Sequence, residues 1–143
     1  MVVEDQKPSG TGGGTFTAGS YQTHTLNTVV LNEISGASLS SNQVTLPPGD
    51  YEFNISTIGY NTGNFRFRLY DVTNASEIAL SPSLFSSSNQ HAPSVFNGKF
   101  TITSTAAFEL QGVCASTTAD GFGAATSLGA YEVYANIMFK KVS

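Results

Sequence analysis

The amino-acid sequence predicts an all-β protein that folds as one antiparallel β-sandwich. About eight short segments rich in Val, Thr, Tyr and Phe alternate between apolar and polar residues, which is the period of half-buried strands. Turns of Gly, Pro and Asn separate these segments, and no segment has the period of an amphipathic helix. With 143 residues, the chain is long enough for one domain with a core and short for two.

Residues 1–15 are expected to form a flexible N-terminal arm, followed by a knob domain of residues 16–143. The arm contains a run of glycines and few apolar residues, so it cannot bury enough apolar area to fold alone. An ordered tail of this kind needs a neighbouring subunit to lie against. The residues expected to make this contact are Val2, Val3, Pro8, Gly12, Gly13 and Gly14.

The first half of the knob contains the strand that best predicts the fold. Residues 15–31 suggest one or two strands with a kink at Gly19, and residues 43–46 form a short strand. Pro47-Pro48-Gly49-Asp50 is a turn, because Pro presets φ and Gly accepts positive φ. From Tyr51 to Tyr60 the residues alternate, and the expected inward side chains are Tyr51, Phe53 and Ile55.

The second half continues with strands separated by loops. Strands are predicted at residues 65–72, 77–80, 99–103, 108–115 and 131–142, with long loops at 81–94 and 117–129. In the last strand the side chains expected to face inward are Tyr131, Val133, Ala135, Ile137 and Phe139.

Four apolar side chains fall on strand faces that water should cover in an isolated sandwich. They are Ile58, Tyr60, Tyr134 and Met138. Aromatic residues and Met are enriched in the cores of protein interfaces, so these four are candidates for a contact between subunits. The alternative is scattered surface apolar residues, which are ordinary in monomers.

Composition and charge exclude several classes of function. The net charge is −4 and the six basic residues are dispersed, so the footprint of a nucleic-acid-binding protein is absent. A single cysteine excludes an internal disulfide. The acidic N-terminus does not resemble a signal peptide, and no segment has the roughly 20 apolar residues of a membrane span.

The sequence predicts no catalytic, metal or cofactor site. His24 and His91 lack the spacing of metal ligands and are expected at the surface or on a symmetry axis. Cys114 alternates in register with apolar residues, so it is expected in the core. Arg66, Arg68 and Tyr70 share an outward face that could hold a carboxylate or a glycan, although outward arginines more often only solvate a sheet.

The turn and strand Pro48-Gly49-Asp50-Tyr51-Glu52-Phe53 resemble the complement C1q and tumour necrosis factor jelly-roll superfamily. Residues 13–17, 25–29 and 39–49 are similar to domains of tailed-bacteriophage virion proteins, and the likeness spans about residues 13–142. The resemblance implies a jelly roll that trimerises about a three-fold axis through the sheet holding the first, third and last long strands. It also implies no enzyme activity. The chain lacks a collagen repeat, a signal peptide and calcium-loop spacing, so a phage role is favoured over a secreted eukaryotic one.

Two functions follow from the resemblance. The first is a trimeric capsid decoration or cement protein on the virion surface, assembled in the host cytoplasm, whose arm contacts the major capsid protein. The second is the tip domain of a tail or head fibre that binds a host surface glycan through loops 61–64, 82–94 and 117–130. The length of the chain, without a fibrous shaft, favours the first.

Overall fold

The computed structural model describes all 143 residues and consists of twelve β-strands without a helix. No helical segment that could cross a membrane is therefore present. The strands are β1 (Val2–Pro8), β2 (Gln22–Thr23), β3 (Thr28–Leu31), β4 (Ser38–Ser40), β5 (Gln43–Leu46), β6 (Gly49–Tyr60), β7 (Gly63–Asp71), β8 (Ser76–Leu80), β9 (Leu84–Ser86), β10 (His91–Ile102), β11 (Ala106–Cys114) and β12 (Tyr131–Lys141).

The strands form two antiparallel sheets. The five-stranded sheet has the order β10-β6-β12-β1-β3. The seven-stranded sheet has the order β4-β5-β11-β7-β8, with β2 added beside β11 and β9 beside β7. The predicted all-β antiparallel fold is confirmed, and the order shows non-consecutive strands as neighbours, as in a jelly roll.

The core is one continuous layer between the two sheets. The row predicted to face inward on β6 is buried, as is the row Phe65, Phe67 and Leu69 of β7, and Ile55 and Phe67 are fully so. Phe139 of the five-stranded sheet and Phe108 of the seven-stranded sheet lie with their ring centroids 6.4 Å apart. The Tyr51 hydroxyl donates to the Pro47 carbonyl at 2.6 Å, so the predicted turn is tied to the strand that follows it.

The prediction of a flexible arm is wrong for the first eight residues. Strand β1 lies inside the five-stranded sheet, paired with β12 on one side and β3 on the other. Val3 and Asp5 are fully buried. The partner strand β12 is more than 120 residues away in the chain, so local composition carried no sign of this pairing. Residues 1–15 are therefore part of the knob and not a separate arm.

The glycine run of residues 12–14 is a packed loop. The Gly13 amide donates to the Gly123 carbonyl at 2.8 Å. A Cβ atom at Gly13 would lie 2.8 Å from the backbone carbonyl carbon of Phe122 and 3.0 Å from the Tyr134 ring. Glycine is needed here because two backbones approach each other closely.

A β-bulge in β12 changes which side chains of the last strand face inward. Asp5 pairs with Ala135 but Gln6 pairs with Val133, which leaves Tyr134 as the extra residue. Ala135, Ile137 and Phe139 are buried as predicted. Tyr131 and Val133, predicted to face inward, are exposed, because the bulge shifts the alternation on its N-terminal side.

The predicted loop at residues 81–94 also contains strand residues. Leu84–Ser86 forms β9, and β10 begins at His91 with Pro93 inside it. Strand β10 is an edge strand, where a proline does not interrupt the sheet's hydrogen bonding. Proline is therefore compatible with strand structure at this position.

Because the loop of residues 9–15 is packed, we expect Gly13→Ala to destabilise the protein. The added methyl group has no space against the Phe122 backbone, and overpacking of this kind typically costs about 1–3 kcal/mol. Urea unfolding followed by circular dichroism measures the change, and Thr15→Ala at an exposed position of the same loop is the control. A Gly13→Ala protein as stable as the control would contradict the packed loop.

Candidate functional site

The outer face of the five-stranded sheet, here called the five-strand face, carries uncharged side chains at its centre apart from Glu4. Cross-strand pairs place Met138 beside Val2 and Asn54, and Val95 beside Ser56. Met138 is 44% exposed and Val95 54% exposed. An exposed surface of mostly uncharged and apolar groups has the composition of a contact surface between subunits.

The charges on the five-strand face are paired or lie at one end. Both carboxylate oxygens of Glu4 accept side-chain amide hydrogens, one from Gln6 and one from Asn136, each at 2.7 Å. At the end of the sheet, Glu52 lies 2.8 Å from Lys99 and 3.9 Å from Lys140. Hydrogen bonding and attraction from Lys99 lower the pKa of the Glu52 carboxyl.

The four predicted interface residues do not form one patch. Met138 lies on the five-strand face, whereas Ile58 and Tyr60 lie half-buried at the far end of β6. The Tyr60 hydroxyl donates to Asn89, and its ring lies 4.8 Å from the His91 ring. Ile58 and Tyr60 are thus partly covered by the chain's own loops.

The assignment of Tyr134 to a subunit interface is wrong. Its side chain is 3% exposed, and its hydroxyl donates to the Thr11 carbonyl at 2.7 Å. Burial, assisted by the nearby carboxylates of Glu132, Asp120 and Asp5, raises the pKa of Tyr134 to about 12. The bulge and the two loops over it place this ring inside its own subunit.

The outer face of the seven-stranded sheet, here called the seven-strand face, carries the predicted ligand residues. The Arg68 guanidinium lies 3.6 Å from the centroid of the Tyr21 ring and 4.3 Å from that of Tyr70. It donates from Nε to Gln111 at 2.9 Å and lies 3.6 Å from Glu77. Arg68 and Tyr70 are therefore adjacent, as predicted, and Tyr21 completes the stack.

Arg66 lies on the same face but belongs to a different group. It pairs across the sheet with Val113, and its Nη2 donates to the Ser81 carbonyl at 2.9 Å. Its Nε is buried without a hydrogen-bond partner. The structure thus separates Arg66 from the stack that holds Arg68 and Tyr70.

A polar cluster that the sequence did not predict lies in the interior. His24 and Asp5 are fully buried, with His24 Nδ1 3.7 Å from an Asp5 carboxylate oxygen and 3.0 Å from the Thr25 carbonyl. The Nζ of Lys7 lies 3.0 Å from the other Asp5 oxygen. On the opposite side of the imidazole, Nε2 is 3.4 Å from the Thr57 hydroxyl. The expectation of a surface or axial His24 is therefore wrong.

This interior cluster has a structural role, because it packs against the loop that contains Phe122. Burial lowers the pKa of His24, and the Asp5 carboxylate opposes this effect. The His24 ring packs 4.5 Å from the Phe122 ring, so the cluster supports the loop that covers Tyr134. Asp5 and His24 are 19 positions apart in the chain, so no local sequence signal indicates that they are neighbours. Only the fold brings them together.

Cys114 lies in the core, as predicted. Its thiol donates weakly to the carbonyls of Phe16 and Ser116, and burial raises the pKa of the thiol. A raised pKa disfavours the thiolate, which is the reactive form. No group of three His, Cys, Asp or Glu side chains is arranged to hold a metal ion.

Solved structures with a similar fold cover almost the whole chain. The globular domain of the zebrafish complement 1qA protein matches with a TM-score of 0.63 at 12% identity, covering 99% of this chain and 97% of that chain. Murine APRIL matches with a TM-score of 0.61 at 9% identity, covering 95% of each chain. The PRD1 vertex protein P5, a phage protein, matches with a TM-score of 0.53 at 19% identity, covering 99% of this chain and 96% of that chain.

These likenesses show the fold: the chain has the jelly roll of the C1q and tumour necrosis factor type, as its sequence suggested. No protein-family model matches the sequence, and no curated protein sequence is detectably similar. Function is therefore inferred from the surfaces described above.

The buried His24 should make the protein less stable as the pH falls. In the unfolded chain a histidine has a pKa of about 6.5, which is above the lowered pKa of His24 in the folded protein. The stabilisation from neutral His24 is thus fully present above about pH 6.5 and is lost as the pH falls toward the folded pKa, because the unfolded chain binds the proton more readily.

Urea unfolding at about pH 8 and about pH 5.5, on either side of the usual histidine pKa, measures this dependence. His24→Gln should flatten it, and His91→Gln, which removes the exposed imidazole, is the matched control. A direct NMR titration of the His24 ring in the unaltered protein provides a second readout. A His24 pKa at or above that of a free histidine would contradict the prediction.

Proposed function

We propose that this protein is a structural component of a bacteriophage virion, present as a trimer on the surface of the particle. The observation that carries the proposal is the fold likeness to a phage vertex protein over nearly the full length of both chains. The sequence resemblance to virion domains of tailed phages points to the same class. The proposal includes no catalytic activity.

The five-strand face is the surface that we assign to trimer contacts. Its central rows contain Met, Val, Asn and Ser side chains, and its one central carboxylate, Glu4, is satisfied within the chain. Burying the centre of this face removes apolar area from water, and the two amide hydrogen bonds of Glu4 offset part of the cost of burying its charge. The five-stranded sheet contains β6, β10 and β12, which are the first, third and last of the strands with nine or more residues. This is the sheet to which the sequence resemblance assigns the trimer contacts.

Within the virion, we assign the protein a capsid decoration or cement role in contact with the major capsid protein. This contact must use surfaces of the folded knob. The N-terminal residues that the sequence predicts as a capsid-contacting arm instead form strand β1 and a packed loop. Such a protein stabilises a shell by bridging coat subunits, and a trimer presents three copies of the same contact surface.

A second function, glycan binding by the tip domain of a tail or head fibre, is favoured by one specific observation. The seven-strand face presents the Tyr21–Arg68–Tyr70 stack beside the Gln111 amide, on the side of the sandwich opposite the proposed trimer contact. Aromatic rings with adjacent amide and guanidinium groups suit a saccharide, which has both apolar faces and hydroxyl groups. This face would remain open to solvent in the trimer.

Met138→Asp should weaken the proposed trimer. A carboxylate in place of Met138 would lose its hydration in the contact, so the altered protein should dissociate toward the 15.0 kDa subunit while remaining folded. Light scattering after gel filtration gives the mass. Leu80→Asp, at an exposed apolar position of β8 in the other sheet, is the matched control and should keep the wild-type mass. A wild-type protein with the mass of one subunit would contradict the trimer.

Immunogold electron microscopy of purified phage particles tests the virion role. Antibodies raised against the recombinant protein should label particles from cultures in which this chain is produced. Regular labelling of the shell is expected for a decoration protein, and labelling of fibre ends would favour the second function. Intact particles without label would contradict both.

A further inference from the structure

A groove at the loop end of the seven-stranded sheet combines an exposed aromatic ring, a cation and a wall of hydroxyl groups. Two adjoining hollows share Phe85 as a lining residue. The first, of about 560 Å³, is mostly apolar and also contains Arg66, Leu84 and Val113. The second, of about 490 Å³, is polar and is lined mainly by Ser, Thr and Asn side chains. Both volumes lie within the range of about 300–1,000 Å³ that is typical of small-molecule sites.

The groove lies where three loops of the chain meet. Its polar hollow is formed by Asn61 and Gly63, by residues 85–88 and by residues 116–118. Hydrogen bonds hold these segments together: the Thr118 hydroxyl donates to the Asn61 carbonyl at 2.7 Å, and the Thr62 amide donates to the Ser86 hydroxyl at 3.0 Å. The site is therefore built on tied segments and is largely preformed.

The Phe85 ring is exposed to solvent and can stack against a ligand. Strand β9 pairs with β7 so that Phe85 stands opposite the exposed Asn64, and the Phe85 side chain is 62% exposed. It is the most exposed aromatic residue of the chain, while the neighbouring Leu84 packs against the core. An exposed flat ring beside hydroxyl groups suits a ligand that has one apolar face and a hydroxylated rim, which is the character of a pyranose ring.

Arg66 gives the groove a preference for negative charge. Four of the six basic side chains lie within 4.0 Å of a carboxylate, namely Lys7, Arg68, Lys99 and Lys140. Arg66 has no such partner, and its Nε lies buried without an acceptor. Its bond to the Ser81 carbonyl fixes the side chain. A guanidinium without a carboxylate partner is suited to bind a carboxylate of a ligand through its remaining Nη hydrogens.

We propose that this groove binds an acidic saccharide, a sugar residue carrying a carboxylate. The apolar face of the sugar ring packs on Phe85, the carboxylate pairs with Arg66, and the hydroxyl groups of the sugar bind the Ser and Thr side chains of the polar hollow. The inference rests on the second function described above and assigns it a binding site on the same sheet, separate from the Tyr21–Arg68–Tyr70 stack, together with a ligand class. The groove lies away from the five-strand face, so saccharide binding is compatible with the proposed trimer.

NMR titration of the isotope-labelled full chain tests the proposal with two matched pairs of probes. Trigalacturonic acid and sialyllactose are each compared with their own methyl esters, which have the same sugar rings without the charge. At least one acid should shift the amide signals of residues 61–66, 83–88 and 113–118. The matching neutral probe should bind about tenfold more weakly or worse, because it cannot pair with Arg66.

Substitutions separate the contributions of the two side chains. Phe85→Ala should reduce binding of both probes of a pair by about tenfold or more, whereas Arg66→Ala should lower binding of the acid to the level of the neutral probe. Leu128→Ala, at another exposed apolar residue, and Lys141→Ala, at the other basic residue without a carboxylate partner, are the controls and should bind as the wild type does. Circular dichroism confirms that each variant is folded.

Three results would overturn the proposal. The first is the absence of shifts with both acids at millimolar concentration, and the second is equal affinity for acid and neutral probe. The third is a change in mass of Phe85→Ala by light scattering, which would identify the groove as a contact between copies of the chain. Failure of saccharide binding leaves the trimer mass and particle labelling unaffected, so it is distinguishable from failure of the virion role.

Discussion

The pairing of β1 with β12 is the contact on which the rest of the fold depends. The two strands join the beginning and the end of the chain in the middle of the five-stranded sheet. The Met1 ammonium donates to the Phe139 carbonyl and the Phe139 amide donates to the Met1 carbonyl, both at 2.8 Å. Without β1, the edge of β12 would be left without hydrogen-bond partners and β3 would have no neighbour. The five-strand face exists because this pairing is made.

The bulge in the same pair of strands shapes the end of the sandwich where the loops meet. It inserts Tyr134 beneath the loops of residues 9–15 and 119–125, and the glycines of both loops allow the backbones to approach that ring. Beneath them, Phe16 and Phe122 stack with their centroids 4.2 Å apart, and the His24–Asp5 cluster lies against Phe122. A single extra residue in β12 thus determines which side chains of residues 131–134 face the surface and which face the core.

The two outer faces differ in chemistry, and this difference is the basis of the functional proposals. The centre of the five-strand face is mostly uncharged and suits contact with identical subunits. The seven-strand face carries the stacked Arg68, the unpaired Arg66 and the exposed Phe85, which suit a polar ligand with an apolar side. A sandwich keeps these two faces apart, because its core separates them. A protein built in this way can assemble through one face and recognise a ligand with the other.

Much of the fold was determined by the sequence alone, because the two-residue period of β6 and β7 and the Pro-Pro-Gly turn are local signals that do not depend on partners. The same local signals placed Arg68 and Tyr70 side by side and Cys114 in the core. Only the tertiary structure decided the position of residues 1–15, the face of Tyr134, and the burial of His24 beside Asp5. Each of these depends on a pairing between residues far apart in the chain, and a bulge or a close glycine contact has no periodic signature. The groove around Phe85 has the same origin, since its walls come from three separate loops that meet only after the strands have paired.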